Sequence, residues 1–440
     1  MKITAIYGPN GCGKTQYVEK MRRQMASDTV RYVAFRDSYG AGTDQAYYLQ
    51  LRWNQHDIDA ETPTAAQLLE KAFRETGDDT PERRQWQQEL YRLFALDDLL
   101  NRYIITLSSG ELRKFQLART LLAQPQTLII DNPFIGLDAE TRQQLADLLP
   151  KLPPLTTHHS PLKIYIVVSR RKDIPDYVTD IIDLTPQPST LKSQTSTPKS
   201  QISNLKSQTS KEEVISFHDV TVRYGDRTIL SHLDWTVRQG EHWALSGQNG
   251  AGKSTLLSLV CADNPQRYAC DIRLFGHRQG EAGVSIWDIK RRIGYVSPEM
   301  HRSYHRDLPT LHVVASGLKD TVGLYVRPTA EERQQCLWWM RLFGVDHLAD
   351  RSFLRLSSGE QRMVLVARAF VKDPDLLILD EPLHGLDDRG RQLVLRLIEA
   401  FCCRPDKTLI FVSHYREEWP SCIDHELFLT KCKHGVGSSE

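Results

Sequence analysis

Four short apolar runs punctuate the chain. Ile3 to Tyr7 and His242 to Ser246 run into glycine turns, whereas Thr127 to Asp131 and Leu376 to Asp380 each end in an acid. Short apolar runs of this kind are the pattern of strands buried in a parallel sheet. Helical runs follow the glycine turns over Gln16 to Met25 and Thr255 to Val260, and Glu331 to Phe343 reads as a longer amphipathic helix. The pattern predicts an α/β chain whose strands deliver loops and acids to their carboxyl ends, where ligands of such sheets bind.

The same order of features occurs twice. Leu107 to Asp138 and Leu356 to Asp387 align without a gap and share 16 of 32 residues, including LSSGE, the Asp after the apolar strand, and GLD. A repeat of this length implies two duplicated domains. Between them, residues 185–212 are rich in Ser, Thr, Gln, Lys and Pro, and LKSQTS occurs twice, at 191–196 and 205–210. Such a segment cannot bury a core and reads as a flexible linker. The expected division is a first domain over 1–184, the linker over 185–212 and a second domain over 213–440.

Both glycine turns fit GxxxxGK[ST]: Gly8, Asn10, Gly11, Gly13, Lys14 and Thr15 in the first half, and Gly247, Asn249, Gly250, Gly252, Lys253, Ser254 and Thr255 in the second. Such a loop turns backbone N–H groups inward around β- and γ-phosphates. The Lys adds a positive charge, and the hydroxyl of Thr15 or Ser254 ligates Mg²⁺. Asp131 and Asp380, at the carboxyl ends of their strands, are placed to hold the same ion. The expected ligands are therefore the phosphates of a nucleotide and Mg²⁺.

Composition narrows the partners. The 440 residues carry 56 Lys plus Arg against 55 Asp plus Glu, a net charge of +1, which supplies no broad field for nucleic acid or anionic membrane. No apolar run approaches the ~18 residues of a membrane span, and the N-terminus lacks a secretory signal. The eight cysteines form no CxxC pair, which fits reduced thiols in a cytoplasm and suggests neither a zinc site nor a disulfide scaffold. His301 and His305 have chelating spacing but no third ligand, and the short basic clusters read as solvated faces.

The phosphate loop, LSSGE signature, apolar strand with Asp and following GLD together resemble the ATP-binding cassette ATPases, over nearly all of the chain outside the linker. The resemblance implies two P-loop NTPase domains, each a mainly parallel sheet with a helical subdomain, the second also with an antiparallel β subdomain. It implies two composite sites, in which Ser108 and Gly110 of one signature, and Ser357 and Gly359 of the other, close over ATP held by the opposite domain. Tyr224 matches the aromatic that stacks on adenine, and the first half has no counterpart. Glu381 and His414 match the family's water-polarising carboxylate and switch histidine, with Lys253 completing the catalytic set.

The first half departs from this pattern. Asn132 stands where Glu381 does and cannot accept a proton, and Arg170 stands where His414 does, able to hold a γ-phosphate by charge. The resemblance thus implies one hydrolytic and one degenerate site. Pro298, with Glu299 beside it, replaces the glutamine of the loop that couples transporters to membrane helices, and Tyr32 to Asp37 holds none either. Strings at 34–39, 47–54 and 296–299 resemble the soluble tandem cassettes of the molybdate-transport accessory, or photorepair, type. The implied role is a cytoplasmic ATPase energising a transport system through a separate permease at the inner membrane face. The alternative is a stand-alone soluble regulator, or a clamp on nucleic acid or ribosomes.

Overall fold

The computed structural model describes residues 3–10, 12–25, 30–35, 63–104, 107, 109–134, 137, 139–152, 162–185, 212–224, 227–248, 250–278, 281, 283–298, 300, 304, 307–323 and 326–432. The first half contains β1 (Ile3–Tyr7), α1 (Lys14–Gln24), β2 (Val30–Ala34), α2 (Ala65–Glu75), α3 (Pro81–Phe94), α4 (Ser109–Leu121), β3 (Thr127–Asp131), α5 (Ala139–Leu148), β4 (Lys163–Val168) and β5 (Asp180–Asp183). The second contains β6 (Glu213–Tyr224), β7 (Arg227–Arg238), β8 (His242–Gly247), α6 (Lys253–Val260), β9 (Asp271–Leu274), β10 (His277–Arg278), α7 (Ile286–Arg291) and β11 (Ile293–Val296). It continues through α8 (Thr310–Ala315), α9 (Ala330–Leu342), α10 (Ser358–Phe370), β12 (Leu376–Asp380), α11 (Asp388–Cys402), β13 (Thr408–Val412) and β14 (His425–Leu429).

The duplication in sequence is a duplication in topology. One sheet runs β2-β3-β4-β1-β5 and the other β11-β12-β13-β8-β14, and every pairing within them is parallel. In register, Leu128 lies beside Ile164 and Leu377 beside Leu409. The strands that end in Asp131 and Asp380 are buried at every position before the acid, because helices cover both faces. The carboxyl ends of β1 and β3, and of β8 and β12, therefore open on the same edge of their sheets.

Each half carries a helical arm before its signature helix. In the first, Phe73, Leu90 and Phe94 of α2 and α3 pack against Phe115 and Leu121 of α4, and the buried Trp86 indole donates to the Leu121 carbonyl at 2.9 Å. In the second, Met340 and Phe343 pack against α10, with the Phe343 and Phe370 rings 5.4 Å apart. Capping boxes start both arms, Thr64 with Gln67 and Thr329 with Glu332. Of the tryptophan pair in α9, Trp339 faces this core while Trp338 is 53% exposed.

An antiparallel sheet, β10-β9-β6-β7, belongs to the second half. Its inner face buries Phe217, Val222, Leu230 and Trp235 against Leu256, Leu257 and Val260 of α6. A Cβ added to Gly252 would lie 2.9 Å from Leu230 Cδ2, so the β6–β7 ribbon closes directly on the second phosphate loop. Among the described residues, the first half has no such sheet.

Candidate active site

The loops form because glycine tolerates a backbone that other residues resist. Gly13 and Gly252 cap α1 and α6 at φ 90° and 97°, in the left-handed region. With that turn made by glycine, the helix starts on the lysine itself, at Lys14 and Lys253, two residues earlier than the apolar pattern suggests. Gly247, at φ 139°, lies so close to β14 that a Cβ would stand 2.3 Å from the Leu429 carbonyl oxygen. Lys14 Nζ donates to Gly8 O at 2.5 Å and Pro9 O at 2.8 Å, and Lys253 Nζ to Gly247 O at 2.6 Å and Gln248 O at 3.1 Å. Burial pushes the Lys14 ammonium down, against the pull of Cys12, Asp131 and Asp387. A phosphate accepting hydrogen bonds from that ammonium would favour its charged form, which burial alone disfavours.

Beyond the two acid-ended strands the backbone takes the same unusual turn. Asn132 and Glu381 both have φ 49°, and their N–H groups donate to Val167 O at 2.8 Å and Val412 O at 2.9 Å. Two non-glycine residues held left-handed at matching positions indicate that surrounding structure over-determines the turn.

The side chains at these twin turns then do different things. Glu381 Oε1 lies 2.8 Å from His414 Nε2, and Oε2 lies 3.2 Å from His384 Nδ1. Burial pushes the Glu381 carboxyl up, but the contacts with His384 and His414 outweigh it and hold the group well below the usual carboxylate range. Burial pushes His384 down, more than Glu381 raises it, with Arg362 and Arg113 adding to the fall. In the first half, Asn132 Nδ2 donates to Asp131 Oδ1 at 2.8 Å and Tyr32 Oη to Asp131 Oδ2 at 2.7 Å. The amide thus faces inward to the acid instead of presenting a base.

Arg170 is also committed. Nε and Nη2 make a two-pronged contact with Asp173 at 2.6 and 2.7 Å, and Nη1 lies 3.4 Å from Glu418 Oε1. Glu418 additionally meets Arg391 Nη2 at 2.8 Å and the Ser413 hydroxyl at 2.9 Å. To reach a γ-phosphate, Arg170 would have to leave these carboxylates.

Several contacts join the halves. The Asn10 backbone N–H donates to Asp387 Oδ2 and its side-chain amide to Gly385 O, both at 3.0 Å. A Cβ on Gly359 would come within 1.9 Å of Asn10 Nδ2, so the first phosphate loop sits against the second signature helix. Reciprocally, Tyr415 Oη donates to Leu137 O at 2.8 Å and Lys172 pairs with Glu417 at 2.8 Å. A cavity on this seam is lined by Asn132, Arg170, Glu381, His384, His414 and Tyr415.

Of the remaining candidates, Ser357 caps α10, where its N–H and hydroxyl both donate to Glu360 Oε2, at 2.8 and 2.7 Å. Gly110 lies in α4, facing Thr141 of its own half. Tyr224 ends β6, half-buried, its hydroxyl accepting from Asn264 Nδ2 at 2.9 Å. Thr15 and Ser254 are exposed in the first turns of α1 and α6, followed by Thr255. Pro298 follows the buried Ser297, whose hydroxyl accepts from Met300 N at 3.1 Å. Gly11, Ser108, Asn249, Glu299, His301 and His305 lie outside the described residues, as do most of the strings at 34–39 and 47–54 and residues 186–211 of the linker. No motif in the sequence marks His384, Tyr415, Asp173 or Glu418. Only the GLD repeat hinted at Gly385 and Asp387, since the partners stand hundreds of positions apart.

Two parallel P-loop sheets, two signature helices and matched acid-ended strands define an ABC-type ATPase. The family profile described as ABC transporter matches residues 1–135 and 230–384, and the chain belongs to this family as an ATP hydrolase. It is similar to the ABC transporter ATP-binding protein ModF of Escherichia coli, with 35% identity covering 96% of this chain and 90% of that one. It is also similar to an uncharacterized ABC transporter ATP-binding protein of Schizosaccharomyces pombe, at 30% identity over 79% and 73% of the two chains. A solved ATP-binding cassette, dimeric in a post-hydrolysis state with ADP and Pi, superposes with a TM-score of 0.42 at 20% identity, covering 50% of this chain and 97% of that one.

The Asn10–Gly359 approach has a measurable consequence. Gly359→Ala is expected to displace the Asn10 amide from Gly385 O and lower ATP turnover about tenfold, the worth of one or two hydrogen bonds. Adding Asn10→Ala should recover part of the loss, because the clash is gone. Equal additive losses in steady-state assays would show that these residues do not meet.

Proposed function

We propose that residues 1–184 and 213–440 form two cassettes that pair within one chain, creating one hydrolytic and one retaining ATP site. The observation that carries the reading is the contrast at the twin turns: Glu381 set on His414 in the second half, Asn132 turned onto Asp131 in the first. The donor sets fit Mg²⁺, since each site offers only oxygens, a helix-start hydroxyl of Thr15 or Ser254 and a strand-end carboxylate of Asp131 or Asp380. Bound Mg²⁺, held by these groups, would neutralise the charge that builds on the phosphates during transfer.

The chain's own groups divide the remaining work. Gly247, Gly250 and Gly252 shape the cradle, Lys253 moves from its loop carbonyls to the phosphates, and Tyr224 offers a face to the base. Glu381, ionised and buried, orients the attacking water and accepts its proton, while His414 holds the carboxylate in position. The signature pair Ser357 and Gly359 closes over the Lys14 loop, and Ser108 and Gly110 over the Lys253 loop. Asn132 leaves the Lys14 site without a base.

Further out, we infer that the closing and opening of this clamp energises transport through a separate permease at the cytoplasmic membrane face. No helix among the described residues is long and apolar enough to cross a membrane. The resemblance to molybdate-transport accessory cassettes favours an oxyanion as cargo, and the balanced charge gives a nucleic-acid clamp little support.

A single-turnover experiment with γ-labelled ATP tests the division. The expected result is one phosphate released per chain in the fast phase, with one intact ATP retained. Two phosphates released at the same rate would overturn it. Co-purification of a permease with the ATP-loaded protein tests the transport role, and its replacement by ribosomes or DNA would favour the other reading.

A further inference from the structure

At the opposite edge of the second sheet from the phosphate loop, three metal-ligating side chains converge. His242 is the first residue of β8, Cys402 the last of α11, and Cys422 lies in the loop before β14. A ring nitrogen of His242 and the Sγ atoms of Cys402 and Cys422 all lie within 4.8 Å of one another. We propose that His242, Cys402 and Cys422 form a binding site for Zn²⁺, separate from the ATP machinery.

The histidine is already in the form a metal needs. His242 Nδ1 is 3.2 Å from the Cys422 carbonyl oxygen, which can only accept, so Nδ1 carries a proton and the Nε2 position is the one through which the neutral ring would bind a metal. Nε2 is buried and has no hydrogen-bond partner. An Nδ1–H held by a backbone carbonyl is the usual support of a metal-bound histidine, because it fixes both tautomer and ring angle. A buried lone pair without a donor is costly unless something fills the position.

The sulfurs suit the same ion. Both cysteines are free, and their Sγ atoms lie within 4.8 Å of each other. Two thiolates and one imidazole are a donor set that prefers Zn²⁺ to Mg²⁺. Around tetrahedral zinc such atoms stand roughly 3.8 Å apart, so the cluster needs to contract by only about 1 Å. Binding releases the two thiol protons to solvent, leaving two S–Zn bonds and one N–Zn bond. Cys422 is partly exposed, so water can take the fourth position. Sequence spacing conceals the site, because its ligands come from a strand start, a helix end and a loop.

Metal-stripped, reduced full-length protein is exposed to Zn²⁺ in excess Mg²⁺, desalted, and assayed for bound zinc. One zinc per chain is expected for the wild type and for Cys403→Ser, and none for Cys402→Ser, Cys422→Ser or His242→Gln. Co²⁺ should give thiolate charge-transfer absorption that disappears in the same three variants. Zinc should also raise the midpoint of thermal unfolding by on the order of 5 °C in the wild type and in Cys403→Ser, and not in the other three variants. Cys422, less buried than Cys402, gives the variant that keeps the fold if Cys402→Ser does not. The site is refuted if wild type retains no more zinc than Cys422→Ser, or if the cysteines join as a disulfide and the reduced protein takes no metal.

Discussion

Glu381→Gln is expected to lower steady-state ATP hydrolysis by about 10²- to 10⁴-fold, the range for loss of a positioned general base, while ATP binding persists. Glutamine keeps the shape of the side chain and its place beside His414, 2.8 Å away, so the fold and phosphate loop have little reason to change. It loses the charge and the capacity to accept a proton. The pH dependence follows from the same contacts. Glu381 is held below the ordinary carboxylate value of about 4.3, so it remains ionised from neutral pH down through that value. Its contribution to stability is present above the unfolded-state value and is lost only as pH falls through the lower folded-state one. Any loss of activity between about pH 5 and 7 therefore comes from groups other than this carboxylate. Steady-state phosphate release and nucleotide retained after gel filtration check the prediction together. Near-wild-type hydrolysis by Glu381→Gln would remove Glu381 from the reaction.

Much of this site is legible along the chain because local chemistry compels it. Gly13 and Gly252 are needed where φ reaches 90° and 97°, and an apolar run ending in acid gives β3 and β12 with the expected bounds. The helices starting at Lys14 and Lys253 begin earlier than expected because the glycine turn, rather than the first apolar residue, sets their start. What does not show in sequence is pairing across the fold. The position of Arg170 after Val168 and Ser169 points to a phosphate ligand. Nothing nearby in sequence announces Glu418, and Asp173, three residues on, looks like an ordinary surface acid. The His242, Cys402 and Cys422 cluster is hidden for the same reason: three elements must pack before their side chains meet.

Arg170→Ala is expected to destabilise the protein by about 3 kcal/mol, as breaking one partner out of a buried ion cluster does. The Arg170 side chain is 11% exposed, and those of Asp173 and Glu418 are 8% and 10%. Removing the guanidinium takes two short charge-assisted bonds from Asp173, leaving it Arg142 at 2.9 Å. Glu418 loses its link to the other half but keeps Arg391 and Ser413, so the damage centres on the seam and not on the second sheet. Lys172–Glu417 beside it is exposed and cannot replace the lost contact, since such pairs contribute about 0–1 kcal/mol. The midpoint of thermal unfolding should fall by roughly 6–12 °C. Arg170→Lys should recover little, because an ammonium cannot engage both Asp173 oxygens in a planar fork. If Arg170 instead serves the γ-phosphate at the Lys14 site, the variant will keep its stability and lose ATP affinity there. Thermal unfolding measured with and without ATP separates the two roles. A large fall without nucleotide assigns Arg170 to the seam, and a fall seen only in the ATP-dependent gain assigns it to the phosphate.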